Sequence, residues 1–373
     1  MVKRIIYNKI VFIIKHISKK VNSAIGFFFL TLLIVACEKY DTTHNTYSVS
    51  SGVFIVCEGN YTYDNASLSF YVPGTKQVSN NVYFDANSKY LGDVAQSMII
   101  VDTTGFIVIN NSGKIAVIST KTFLNVATIT GFTSPRYMQL INNGKAYVSD
   151  LYNTSITIIN PQNYTVTGKI RVGKTTEQMV KYNNYVFVTN WSNQSSIQRI
   201  DCINDTLYGT LSVTFQPNSI VIDKYNKLWV LSDGGFQGES GKQVAALTKI
   251  DAASFTIENV YSFPSLQYSP SRLNINGTLD TLYFLSGGWQ ASTNANNGVF
   301  QMAVTANALP GHPFIYQNTK LFYGLGVDPN SSQVYVSNAL DFIQPGIIYR
   351  YSPNAVLIDS FLTNVIPAYF CFK

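Results

Sequence analysis

The sequence predicts an all-β protein, a seven-bladed β-propeller, and three observations carry that expectation. One strand pattern recurs seven times, each copy is followed by further short strands and turns, and the chain ends on a strand that its beginning lacks. The recurring strand reads GVFIVCEGN, FIVINNSG, KAYVSDLYN, YVFVTNWSN, KLWVLSDGG, TLYFLSGGW and QVYVSNALD. Taking Phe54, Ile107, Tyr147, Phe187, Trp229, Tyr283 and Tyr335 as equivalent gives spacings of 53, 40, 40, 42, 54 and 52 residues. A unit of that length is one small sheet, which buries its faces only by stacking on its neighbours.

Each copy supplies the second strand of a blade. A polar loop leads from it to an alternating third strand, such as SITIIN, SIQRID, ALTKID or GIIYRY. An outer strand follows (TVTGKIRV, TLYGTLSV, FTIENVYSF), and a turn, often marked by proline, opens the inner strand of the next unit (SPRYMQLI, QPNSIVID, SPSRLNIN). The first unit begins at its second strand, and the chain finishes on IPAYFCFK, an inner strand with nothing after it. Pairing these two closes the ring and removes the edges an open array would present. Cys371 then lies on the strand beside Cys57, diagonal to it, which disfavours a disulfide because a bridge needs close Cβ atoms. Cys202 reads as a buried or edge thiol.

Composition fits a polar, uncharged surface over an aromatic core: 46% of the 373 residues are hydrophobic, 14% aromatic and only 12% charged. The net charge of +6 comes from one segment, because six of the 26 basic residues (Lys3, Arg4, Lys9, Lys15, Lys19, Lys20) fall in residues 1–37 with no acidic residue. The remainder holds 20 basic against 20 acidic residues, which excludes a nucleic-acid-binding surface. Residues 1–37 read as an export signal, with lysines before the apolar run SAIGFFFLTLLIVAC, too short to span a bilayer comfortably. Its end, IVAC, resembles a bacterial lipobox, which implies a lipidated Cys37 and anchoring at the outer membrane. An uncleaved anchor helix and a soluble secretory signal are the alternatives. Residues 38–51 are polar and aperiodic, as a tether would be, and 52–373 form the propeller.

YVSD, FVTN and YVSN, each followed by an IIN- or RID-type strand, resemble the YVTN-type repeat of seven-bladed propellers. With a lipobox and tether in front, the chain is similar to the YncE-like surface lipoproteins of Bacteroidota over residues 52–373. The resemblance implies the fold; function follows less directly, since propellers host many unrelated activities. Members of the BtuG type capture cobalamin at the cell surface and pass it to a TonB-dependent transporter, although the chain carries no short motif specific to that type. The expectation is therefore a monomeric, lipid-anchored propeller that captures a ligand, a corrinoid on the resemblance, and delivers it to such a transporter. A module that docks a protein or glycan without a pocket is the alternative.

In a propeller, loops between second and third strands emerge on one face together with the links between blades. Six of the seven such loops carry an aromatic: Tyr61 and Tyr63, Tyr152, Trp191, Phe236, Trp289, Phe342. Composition alone supplies most of that count. The tryptophans are more telling, since two of three sit in these glycine-, asparagine- and serine-rich loops, where a ring has few local partners. For Trp191 two readings stand, display to a ligand or packing on the neighbouring blade. The blade-to-blade links add Asp93, Gln96, Arg136, Glu177, Gln178, Gln216, Asn218, Arg272 and Tyr323 to the same rim. Arg136 and Arg272 occupy matching places after proline and either grip an anionic or amide-rich ligand or pair with a carboxylate such as Glu177. No enzyme is expected. Beyond residue 37 only His44 and His312 occur, with no zinc spacing, phosphate loop or serine with a placed base, so no cofactor is called for. Streptogramin lyases share the fold but depend on a histidine on the propeller face, and none here matches.

Overall fold

The computed structural model describes residues 51–236, 241–287 and 297–373. Cys37, residues 38–50 of the tether and Trp289 lie outside the described residues. Within them, 28 strands form seven four-stranded antiparallel sheets, with one short helix at Val82–Asn87. A representative blade runs outward through Pro217–Ile222, Lys227–Ser232, Ala246–Asp251 and Thr256–Ser262. Burial fades along that path: the second strand, KLWVLS, is nearly all buried, and the outer one, TIENVYS, is nearly all exposed.

The core is divided into seven, each part filling the space between two adjacent blades. Tyr147 and Ile156 of one blade pack on Val186 and Val188 of the next, and Phe187 and Ile197 pack on Leu228 and Val230 of the one after. Trp229, Leu231 and Leu247 meet Leu282 and Phe284 in the same way. This pattern corrects one alignment in the repeat. Phe106, not Ile107, packs toward the following blade, as Phe54 and Tyr147 do, whereas Ile107 faces back toward Phe54. Side chains alternate along a strand, so a slip of one residue exchanges the two faces.

The last two residues of the recurring strand have a structural cause. The hydroxyls of Ser149, Thr189 and Ser337 accept hydrogen bonds from Tyr137 N (3.0 Å), Gln178 N (3.1 Å) and Gly324 N (2.7 Å) at the head of the inner strand. The following Asp150 accepts from Thr133, Ser134, Tyr152 and Asn153, and Asn338 accepts from Leu321 and Leu340. A buried Ser/Thr–Asx pair thus satisfies backbone donors left over where strand pairing stops.

Ring closure follows the sequence expectation. Val53, Phe54, Ile55 and Val56 pair with Phe372, Cys371, Phe370 and Tyr369, so the last strand becomes the inner strand of the first blade. Its other side lies close against the inner strand Phe322–Val327. A Cβ at Gly324 would stand 2.7 Å from the Ala368 carbonyl oxygen, and one at Gly326 2.7 Å from Phe370 Cβ, so both positions require glycine. The Tyr71 hydroxyl donates to Asp359 (2.8 Å), which Arg350 also reaches (2.7 Å), tying the first and seventh blades farther out. Cys57, Cys202 and Cys371 are free and buried.

Truncating Phe370 to alanine is expected to cost about 3–5 kcal/mol, read from urea denaturation, because its ring fills the closing seam. The thiols supply a second test. Burial raises Cys57 and Cys202 to about 11 and Cys371 to about 12. With Cys37 replaced by serine, none should react with a thiol reagent at pH 8 until the chain unfolds. Since the folded thiols hold their protons more tightly, their contribution to stability is complete below the free-thiol pKa of about 8.5 and is lost as pH rises from there through the folded values. Urea midpoints that stay level from pH 8 to pH 11 would contradict this.

Candidate functional site

The seven inner strands begin around one mouth of the central tunnel, and six of them carry a β-bulge there. The irregularities fall at Ala95/Ser97, Pro135/Met138, Pro217/Ser219, Ser271/Asn274, Phe322/Leu325 and Pro367/Tyr369. A bulge inserts an unpaired residue and re-aims its side chain. The residues so inserted include Gln96, Arg136, Asn218, Arg272 and Tyr323, and all five line one cavity of about 390 Å³. That volume lies in the range of small-molecule sites.

Around this cavity hydrogen bonds run from blade to blade. Arg136 grips Glu177 through Nε (2.8 Å) and Nη2 (2.7 Å) and donates from Nη1 to Gln96 (2.6 Å). These partners sit 41 and 40 residues away, one blade on either side. Gln178 accepts from Ile220 N (2.8 Å), and Asn218 donates to the Pro270 carbonyl (2.9 Å) and to Asp233 (3.2 Å). On the other side, the Tyr323 hydroxyl donates to Glu58 (2.7 Å), and Arg272 lies 5.1 Å from the Tyr323 ring centre. Tyr137 and Tyr369 meet edge to face at 6.3 Å.

Trp191 is half-buried, and it packs on the neighbouring blade, as one of the two sequence readings has it. Its Nε1 donates to Asp233 (3.1 Å) on the neighbouring blade, its ring meets Phe236 edge to face at 6.3 Å, and the Arg136 guanidinium lies 5.9 Å from its centre. The ring is therefore fixed by packing and still forms part of the cavity wall.

Electrostatics keep the site's phenols neutral. Burial first, with the Glu58 carboxylate second, raises Tyr323 well above the ordinary phenol range, and burial together with Glu177 raises Tyr137. Burial also pushes Asp233 up, against donors from Gly235, Asn218 and Trp191 that pull it down. For Arg136 burial works against the charge, but Glu177 outweighs it and holds the guanidinium protonated. The cavity can thus offer aromatic faces, amides and phenol hydroxyls, with most of its charge already matched. Among the described residues no group of three or more His, Cys, Asp or Glu is placed to hold a metal ion.

Of the residues singled out from sequence, Gln96, Arg136, Glu177, Gln178, Trp191, Asn218, Phe236, Arg272, Tyr323 and Phe342 share this lining. Tyr61, Tyr63 and Tyr152 do not; they stand 68%, 74% and 71% exposed on the outer loops. Asp93 is also absent from the lining. It is buried and accepts from Thr62 N (2.8 Å) and Asn111 Nδ2 (2.5 Å), fastening two loops together. Glu58, Asp233, Tyr137 and Tyr369 line the cavity but were not singled out. Glu58 and Asp233 each occupy the first position after a second strand, the place Trp191 holds in its own blade. Aligning the loops by strand end would have found them.

A family model described as "Domain of unknown function (DUF5074)" matches residues 51–356. No curated protein matches the chain. Among solved structures it is similar to a quinoprotein alcohol dehydrogenase-like protein of Bacteroides thetaiotaomicron, at 15% identity and a TM-score of 0.63, covering 86% of this chain and 78% of that one. It is also similar to the periplasmic gluconolactonase of Pseudomonas aeruginosa (9% identity, TM-score 0.63, 86% and 98% covered) and to hydrazine synthase of Kuenenia stuttgartiensis (12%, 0.59, 74% and 89%). At these identities the likeness is one of fold.

The Arg136–Glu177 pair gives the site's own test. Glu177→Ala should lower stability by about 3–5 kcal/mol, because it leaves a buried guanidinium unpaired. Adding Arg136→Met should restore most of the loss in thermal or urea unfolding; a double variant no more stable than the single one would contradict the account.

Proposed function

The chain belongs to the DUF5074 family, and we propose that it is a ligand-capturing propeller whose binding site is the cavity at the tunnel mouth. The observation that carries this reading is Trp191, a ring held by Asp233 and flanked by Arg136 and Phe236 as a wall of that cavity. A ring fixed before binding loses little conformational freedom when a ligand stacks on it. Gln178, Asn218, Arg272 and the cavity tyrosines provide polar contacts around it, and the protein performs no chemistry of its own.

On the resemblance to YncE-like lipoproteins, the first ligand to test is a corrinoid. A cavity of about 390 Å³ takes an edge of such a macrocycle rather than enclosing it, and the exposed Tyr61, Tyr63 and Tyr152 on the same set of loops add stacking area outside. In this reading Cys37 carries the lipid anchor at the outer membrane, residues 38–51 give the propeller its reach, and the ligand passes to a TonB-dependent transporter. The same exposed tyrosines, with Ile343 at 73% exposure, favour a second reading, a face that docks a protein or glycan.

Titration calorimetry with cyanocobalamin should show binding that Trp191→Ala weakens at least tenfold, a loss of about 1.4 kcal/mol. Absence of heat would remove the corrinoid, and equal affinity in the variant would move the site away from the cavity. Losses spread evenly over Tyr61, Tyr63 and Tyr152 variants would favour docking.

A further inference from the structure

The two arginines of the cavity look alike in sequence and are unlike in the fold. Arg136 commits all three guanidinium nitrogens to contacts of 2.6–2.8 Å with Glu177 and Gln96. Arg272 is held only at arm's length. Its Nε stands 3.3 Å from the Tyr323 carbonyl and its Nη2 3.5 Å from Glu58, whose other oxygen already accepts the Tyr323 hydroxyl at 2.7 Å. Charge-assisted bonds to a carboxylate normally close to about 2.7–2.9 Å, so this guanidinium, with five N–H donors, keeps donor capacity that its neighbours do not fill.

Its backbone points the same way. Arg272 adopts φ +58°, a left-handed conformation that glycine takes freely and an arginine rarely does. It sits within the bulge between Ser271 and Asn274, where Asn274 Nδ2 holds its carbonyl at 2.9 Å. Strain of this kind persists where the surroundings enforce it, and it gathers at ligand clamps. Here it carries the side chain into the cavity wall.

Charge then limits what Arg272 can hold. Two guanidiniums, Arg136 and Arg272, share the lining with three carboxylates, Glu58, Glu177 and Asp233. An anionic ligand would add to an existing excess of negative charge in a site largely shielded from water, whereas a neutral acceptor would leave the balance as it is. We propose that Arg272 determines ligand specificity, and that the ligand presents to it an uncharged carbonyl, as a carboxamide does, rather than a carboxylate or phosphate. The amide N–H then faces Glu58, the carboxylate within reach of the same guanidinium, and the apolar part lies against Trp191. This rests on the reading of the cavity as a ligand site and names the chemistry that site selects.

Benzamide and benzoate form a matched pair, equal in shape and different in charge at neutral pH. Saturation-transfer NMR with the full-length protein should show benzamide binding at least fivefold more tightly than benzoate. Trp191→Ala and Arg272→Lys should each weaken benzamide at least fivefold, since lysine keeps the charge and loses the fork. Arg272→Gly should also lose benzamide, and its melting temperature should fall less than that of Arg272→Ala, because both lose the side chain and glycine alone takes φ +58° without strain; an equal or larger fall for glycine would overturn the claim of strain. Benzoate binding as well as benzamide, or benzamide binding that needs Trp191 but not Arg272, overturns the proposal while leaving ligand capture standing. Failure of both probes to bind overturns the proposal, and overturns ligand capture as well where cyanocobalamin also gives no heat. Benzamide behaving as expected while cyanocobalamin gives no heat removes only the corrinoid.

Discussion

The fold depends on one antiparallel pairing, between the strand that ends the chain, Pro367–Phe372, and the strand that opens the first blade, Val53–Cys57. Every blade is flanked by two others, and a ring without this seam would expose two sheet faces and an unpaired inner edge. The seam reaches the site as well. Glu58 follows the first strand directly, and Ala368, Tyr369 and Phe370 belong to the last, so the cavity wall is complete only when the chain's two ends have met. Gly324 and Gly326 allow that meeting by leaving room beside the closing strand.

A second constraint links the repeat to the site. The Ser/Thr and Asx residues that end the recurring strand hold the start of the neighbouring inner strand, where the bulges lie. Fastening the backbone there lets a strand depart from regular pairing without burying unmatched donors, and the departure aims Arg136 and Tyr323 at the tunnel. The motif that makes the repeat recognisable therefore also shapes the mouth of the propeller, whatever occupies that mouth.

The cavity's polar groups serve two ends. Arg136 with Glu177, Trp191 with Asp233, and Asn218 with Pro270 each bridge adjacent blades, stiffening the ring at the place where the inner strands are least regular. Groups used in this way are preorganised, so a ligand meets positions already set and little reordering opposes its binding. Arg272 stands apart from this arrangement, with long contacts and a strained backbone.

Much was legible in sequence because it is local or periodic. Strand alternation, turn residues and a period of 40 to 54 residues determined seven blades, the closing of the ring by the last strand, and the gathering of Trp191, Arg136, Arg272 and Tyr323 at one end. Alternation also produced the misalignment at Phe106 and Ile107, since in a strand apolar on both faces the pattern does not say which face meets which neighbour. What only the tertiary structure decided is which of these residues touch. Arg136 takes Glu177 and leaves Arg272 loosely held, and Trp191 finds Asp233, because such contacts depend on how far each blade is turned against the next and on single-residue bulges. Those offsets arise from packing between sheets, and residues about one blade apart in the chain carry no local trace of them.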